Sequence, residues 1–285
     1  MRVVVTGGSG KIGQFVVRAL VGDADGRTPH EVTVFDRIAG PAVEGVRYLI
    51  GDVRDLGQVV GALANAQAVI HLAISGPPPS PTHATSEVTF GTNVMGTYNV
   101  HEAAALLGIR RVTSTSSGAI LGWTYCEREF PPHYLPIDEE HPVQPQDPYG
   151  LSKEVGEAIA RSYTAKCGME TVVIRPTTVL SPGQLEEVRK NGGRQARRFD
   201  HYSYVDVRDL ADAYRLAVER PLPGHTVLWA VADDSIVAEP LNQLLPRLMP
   251  SIGDMARDLS GSRPALLNSR AKELLGWQPR WSWRQ

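Results

Sequence analysis

The sequence predicts an α/β fold built on a doubly wound parallel sheet, and three observations point to it. Strand-like apolar runs alternate with helix-like runs through the first two thirds of the chain, which is the pattern of strands joined by helical crossovers. The chain opens on a β-branched run that passes through glycines into an amphipathic segment. An acid, Asp36, closes the second strand-like run, roughly 20 residues after the last of those glycines.

The elements follow in order. Val3, Val4 and Val5 read as a strand over 2–6, because three consecutive β-branched residues suit a sheet covered on both faces. Apolar residues at helical spacing predict a helix over 11–21. Further strands are expected at 31–35, 46–50, 67–72, 111–115 and 170–175, and further helices at 55–64, 84–107 and 148–166. Asp147 suits an N-cap and Pro148 a first helical position. After Arg175-Pro176 the alternation weakens. A helix is expected at 206–219, a strand at 226–231, and short helices near 240–248 and 268–275. The expected division is a dinucleotide-binding domain over 1–176, rejoined by 206–231, and a small mixed substrate-binding or lid portion over 177–285. The Pro-rich loop GPPPSP (76–81) follows the fourth strand and reads either as a flap or as a stiff connector at the rim of the crevice.

Glycines 7, 8, 10 and 13 sit where the first strand becomes a helix. Such a turn gathers bare N–H groups and the positive end of a helix dipole, which suits a pyrophosphate. Gly7 allows the tight turn, Gly10 lets phosphates approach the backbone, and Gly13 lets helix and strand pack closely. Asp36 is placed to accept both ribose hydroxyls of an adenosine. The sheet is thus expected to be Rossmann-type, with a small C-terminal substrate-binding portion. Asp36 favours NAD over NADP, since its charge would repel a 2′-phosphate; Arg37 is a mild signal the other way.

Composition sets outer bounds. The chain has 285 residues, 42% of them hydrophobic, so a sizeable core is available. A formal net charge of −2 gives no reason to expect a nucleic-acid or membrane partner. Two cysteines, Cys126 and Cys167, neither form a disulfide framework nor match a metal spacing. No metal site is expected, and a cytoplasmic location is.

Tyr149 and Lys153 lie four residues apart and so fall on one helical face. An ammonium beside a phenol favours the phenolate, so the expectation is a tyrosine tuned downward to exchange a proton with an alcohol or ketone. The fifth strand runs into the hydroxyls Ser114, Thr115, Ser116 and Ser117, beyond a carboxyl end where side chains meet the crevice. His71 ends a strand and reads as a satisfied structural histidine. His201 reads as no more than an occasional polar contact. Asp138, Glu139 and Glu140 read as surface charge in a Pro-rich loop. Arg189, Lys190, Arg194, Arg197 and Arg198 read as a solvated loop face that could instead meet a pyrophosphate or carboxylate.

Taken together, TGGSGKIG, Asp36, GDVRD (51–55), HLA (71–73), the serine run, YGLSK and IRP (174–176) resemble the extended short-chain dehydrogenase/reductase family in its NAD-dependent epimerase/dehydratase branch. The resemblance implies NAD as cofactor. It implies that Tyr149 is the acid/base, that Lys153 holds the nicotinamide ribose and tunes Tyr149, and that Ser117 orients the substrate oxygen. It also implies cofactor contacts at Gly7, Gly10, Lys11, Ile12, Gly13, Asp36, Arg37, Asp52, Val53, Leu72 and Ala73. Ser75, Ser116, Ser117 and Thr177 are implied as substrate contacts, and Asn93 as a structural residue behind the site.

Within that family the chain departs from the nucleotide-sugar pattern. Thr178 replaces the usual asparagine, and only a short stretch separates Pro182 from HYSYVDVRDLADA. Gly118 and Ala119 stand where dehydratases carry an acidic pair. The expected function is hydride transfer at a hydroxyl of a sugar acid or free sugar, resembling uronate dehydrogenases. The alternatives are a nucleotide-sugar epimerase and a non-catalytic NAD-sensing regulator. The long helices 84–107 and 148–166 match those that pair across a dimer in this family, so a homodimer is expected.

Overall fold

The computed structural model of the chain describes residues 1–22, 27–76, 85–196 and 200–285. Residues 77–81 of the GPPPSP loop, and Arg197 and Arg198, lie outside this set. The elements of the first half are β1 (Arg2–Thr6), α1 (Gly13–Val21), β2 (Glu31–Asp36), β3 (Val46–Ile50), α2 (Leu56–Leu63), β4 (Ala68–His71), α3 (Ser86–Leu106) and β5 (Arg111–Thr115). The second half holds α4 (Pro148–Cys167), β6 (Glu170–Pro176), β7 (Thr178–Leu180), α5 (Pro182–Lys190), β8 (Tyr204–Asp206), α6 (Val207–Glu219), β9 (His225–Ala230), α7 (Leu241–Leu248) and α8 (Ser269–Leu275).

Among the described residues, seven strands form one parallel sheet in the order β3-β2-β1-β4-β5-β6-β9. The order reverses between β1 and β4, and a crevice opens at such a switch point. The sheet is covered on both faces, as its valines require. Val3 and Val5 face α1 and α6, while Val4 faces the core shared with α2 and α3. Ala68 and Ile70 repeat this alternation around Val69.

β9 connects two cores. Leu228 and Ala230 pack with the sheet's first core, and Trp229 with a second core that includes Trp123, Trp283 and Leu241. β7 and β8 form a separate parallel pair. The segment 182–190 is a helix where the sequence reading had only a loop. Its start is written locally: Ser181 caps it, Pro182 is at the first turn, and Gln184 completes a capping box. Arg189 and Lys190 therefore sit on a helix beside Glu186, 2.5 Å and 3.9 Å from its carboxylate, rather than on a loop face. No helix among the described residues is long and apolar enough to cross a membrane.

Arg215 on α6 closes the far end of α1. It is 1% exposed. Its guanidinium donates to the carbonyls of Ala19, Gly22 and Thr28 and to the Glu219 carboxylate. A helix C-terminus leaves carbonyls without partners, and a buried cation satisfies them. Arg215→Ala should therefore lower unfolding free energy by about 3–5 kcal/mol, read as a shift in the urea midpoint.

Candidate active site

The crevice begins at Gly7, whose φ of +72° follows directly on β1. A Cβ there would lie 2.5 Å from the Ala73 nitrogen, and one on Gly13 would lie 2.3 Å from the Gly7 carbonyl oxygen. Both contacts are impossible for a real side chain, so β1, α1 and the end of β4 meet only because these residues are bare. The result is a cleft of about 330 Å³ lined by Gly7, Gly10, Lys11, Ile12 and Gly13 at one end. Asp36, Arg37, Asp52 and Val53 line it further along, and Leu72 and Ala73 form the switch-point wall.

Each acid here has a defined posture. Asp36 Oδ2 accepts the Ser9 N–H at 3.0 Å, so the carboxylate is pinned beside the glycine turn. Arg37 is exposed at the cleft edge. The Asp52 carboxylate takes a paired grip from Arg54, 2.6 Å at its closest, which holds it below the ordinary carboxylate range. Val53 is buried, and its carbonyl accepts from Asn99.

Behind the cleft lies a polar scaffold. Thr97 donates to the Asn93 carbonyl, so it accepts from His71 Nε2, leaving His71 Nδ1 to accept from Thr6. Burial pushes His71 down to about 3, and it stays a neutral bracket between β1, β4 and α3. Asn93 bonds Ser75 through both its amide atoms and donates to Ser152, which in turn donates to the Tyr149 carbonyl. Ser75 was expected to contact substrate. It does not line the cleft; its backbone is engaged by Asn93.

Tyr149, Ser117 and Lys153 converge at the other end. Asp147 caps α4 through the N–H groups of Tyr149 and Gly150, which sets the first turn. Ser117 stands beside the Tyr149 hydroxyl and favours its ionised form, and its oxygen accepts the Ala119 N–H at the start of the short turn Gly118–Leu121. Lys153 Nζ lies 5.5 Å from the Tyr149 ring centroid and donates to the Thr115 carbonyl at 2.9 Å. Lys153 is itself buried, behind the cleft rather than lining it. The expected downward tuning of the tyrosine is absent. Burial pushes Tyr149 up to about 12 and Lys153 down to about 7. Desolvation disfavours the charged form of each and is the largest cause of both shifts.

Ser116 Oγ lines the same cleft, is buried, and has no hydrogen-bond partner among the described residues. Such an orphan is a site for a ligand's polar atom. Thr177 lines the cleft too, while its hydroxyl donates to the Ser203 carbonyl.

A second cavity of about 840 Å³ opens on Ser117, Tyr149 and Thr177. It is walled by residues that the sequence reading undervalued. His201 is 4% exposed, and Arg194 reaches the cavity from the segment after α5. Tyr125 stands with its ring perpendicular to that of Tyr149, centroids 6.5 Å apart. The available signal was position: FDHYSYVD immediately precedes the capped start of α6, at the carboxyl edge of the sheet. Glu139 also departs from its reading as surface charge. It is 8% exposed and accepts the Trp229 N–H, and burial raises its pKa.

A family model described as "NAD dependent epimerase/dehydratase family" matches residues 3–228. The chain belongs to that family. It is an NAD-dependent dehydrogenase or epimerase of the extended short-chain dehydrogenase/reductase type. It is 29% identical to an L-arabinose 1-dehydrogenase (NAD(P)(+)) of Haloferax volcanii, over 92% of this chain and 98% of that protein. It is 27% identical to a uronate dehydrogenase of Pseudomonas putida, over 83% of this chain and 78% of that one. A crystal structure of a UDP-galactose 4-epimerase superposes with a TM-score of 0.69 at 25% identity, covering 100% of this chain and 95% of the other.

The residues present fit the family's NAD. Bare Gly7 and Gly13 let the turn between β1 and α1 close tightly, so that the start of α1 borders the cleft, and the orphan Ser116 hydroxyl lies in the same cleft.

The lysine shift has a measurable sign. An unfolded lysine holds its proton to about 10.5, whereas Lys153 releases it near 7. Between these values the unfolded chain binds more protons, so this group makes stability rise with pH. The cost of burial is complete below pH 7 and gone above about 10.5. Lys153→Met should remove that rise, read as a flatter trend in urea midpoint between about pH 7 and 9.5 than in the wild-type chain.

Proposed function

We propose that this protein is an NAD-dependent sugar dehydrogenase that oxidises the anomeric hydroxyl of a free sugar or sugar acid. The observation that carries this reading is the polar cavity beside Tyr149 and Ser117, with Arg194 on its wall. Its volume of about 840 Å³ leaves ample room for a sugar ring beside Tyr149. Arg194 forms no ion pair with a described residue, and its guanidinium suits a substrate carboxylate.

The glycine turn and the N-terminus of α1 would hold the pyrophosphate of NAD, and Asp36 the adenosine ribose. Asp52 and Val53 would flank the adenine, with Leu72 and Ala73 against the cofactor's middle. Bound NAD supplies the acceptor for a hydride. The chain's own residues manage the proton and the alignment. Tyr149 must first give up its own proton; as the phenolate, its Oη takes the proton from the substrate hydroxyl, and Ser117 Oγ holds the same oxygen in place. Lys153, behind the ring, stabilises the phenolate when protonated. The Asn93–Ser152 chain fixes the turn of α4 from which Tyr149 projects.

The epimerase reading is supported by the full-length superposition on the UDP-galactose enzyme. The two readings separate in one assay. Purified chain with NAD is offered L-arabinose, D-galacturonate and D-glucuronate while NADH is followed, and UDP-glucose is offered in parallel while its isomer is followed. Stoichiometric NADH from a free sugar supports the dehydrogenase. Isomer exchange without NADH release supports the epimerase. NAD binding with neither reaction leaves only a sensing role. Tyr149→Phe should lower kcat by about 10²–10⁴-fold and leave NAD affinity, read by calorimetry, essentially unchanged.

A further inference from the structure

His201 is buried where no assigned role explains it. Its Nδ1 accepts the Ser203 N–H at 3.2 Å. A nitrogen that accepts carries no proton, so in the neutral ring the proton is on Nε2. Nε2 lies at the active cavity: a Cβ on Gly118, the residue after Ser117, would sit 3.1 Å from it. Asp200 lies alongside, its Oδ1 3.4 Å from Nε2 and held by the His201 backbone N–H at 2.7 Å. Both residues line the cavity that opens on Tyr149.

A ring N–H donor beside a carboxylate acceptor matches a group that both accepts and donates. A hydroxyl does this. An anion is disfavoured there, because the Asp200 carboxylate would repel it, and the cationic wall of the cavity is elsewhere, at Arg194. Closeness to Gly118, the residue after Ser117, places the pair on the wall of the same cavity as Tyr149 and Ser117.

We infer that His201 and Asp200 form a specificity device that reads the hydroxyl next to the one oxidised, with His201 Nε2–H donating to it and Asp200 accepting from it. This rests on the sugar-dehydrogenase reading above. The ring's tautomer is set by Ser203, and the carboxylate's position by the backbone of His201, so the pair is fixed before substrate arrives. Such preorganised polar groups penalise an analogue that leaves them unpaired.

The test compares kcat/KM for the free sugar giving the fastest NADH production with its 2-deoxy analogue. It uses wild-type protein, His201→Gln, which keeps a donor near the Nε2 position, and His201→Leu, which keeps bulk without one. The wild-type chain should favour the parent sugar by about ten- to hundredfold. His201→Leu should lose that preference, to within about twofold, by slowing the parent sugar alone. His201→Gln should retain most of it. NAD affinity should be the same in all three. Equal losses for both sugars in His201→Leu would show a packing role and overturn the inference. So would a wild-type chain indifferent to the missing hydroxyl, a comparison that needs no variant to fold. NADH formation from no free sugar at all overturns the parent reading and this one with it.

Discussion

Lys153 Nζ rests on the Thr115 carbonyl in a place almost closed to water, and the geometry of the site depends on that contact. Thr115 ends β5, and its hydroxyl donates to the His71 carbonyl at 3.0 Å and accepts from the Tyr214 hydroxyl at 2.6 Å. One residue thus joins β4, β5, α4 and α6 at the floor of the crevice. The ammonium could not be buried without an acceptor, since an unpaired charge in low dielectric costs several kcal/mol. The carbonyl at the end of a sheet strand supplies one. In return α4 is fixed in rotation, and Tyr149, one turn earlier, faces Ser117. A second restraint acts one turn further along the same face of α4, where Arg175 grips Glu157 with two bonds of 2.8 Å and lies over Trp229.

The cost of this arrangement is visible in its ionisation. Lys153 and Tyr149 are both displaced toward their neutral forms by burial. In the free chain the phenol keeps its proton at neutral pH, and the lysine is close to losing its own. Sites that place ionisable groups out of water carry such strain, and shifts of this size on neighbouring residues in a cleft mark chemistry more often than structure. His71 and His101, displaced as far, show the contrast. Both have every ring nitrogen in contact with a threonine, a serine or a carbonyl, and neither faces the cleft.

What the sequence made legible was what local physics writes locally. Three valines in a row demanded a sheet buried on both faces. Gly7 and Gly13 stand at contacts no Cβ survives, and Asp147-Pro148 announced a helix start that α4 adopts. Tyr149, Lys153 and Ser117 were found by spacing and by likeness, and the structure brings them together. Long-range partners were not legible. Nothing near Glu139 reveals that Trp229, ninety residues away, will take its carboxylate. Nothing beside Ser75 says that Asn93, eighteen residues on, will bond both its backbone groups. The sign of the tyrosine shift was missed for the same reason. Spacing gives the Tyr–Lys distance, but the depth of both groups depends on the fold around them. Helix α5 was a local miss, since the Ser181–Gln184 capping box was there to be read.

The two halves of the crevice are made of different material, and that difference bears on what each can recognise. The half under Gly7 and Gly13 is backbone at strand ends, positioned by the sheet order itself, and backbone suits a ligand whose phosphates never change. The half under His201, Arg194 and Tyr125 is side chain, supplied by the excursions after β5 and after β7 rather than by the sheet. Replacing those side chains leaves β1, β4 and β5 untouched, because no sheet pairing runs through them. Selectivity can therefore change in one half without loosening the other. Tyr149 stands where they meet, lining both, which is the position a proton carrier needs if one constant partner and one variable partner are to react across it.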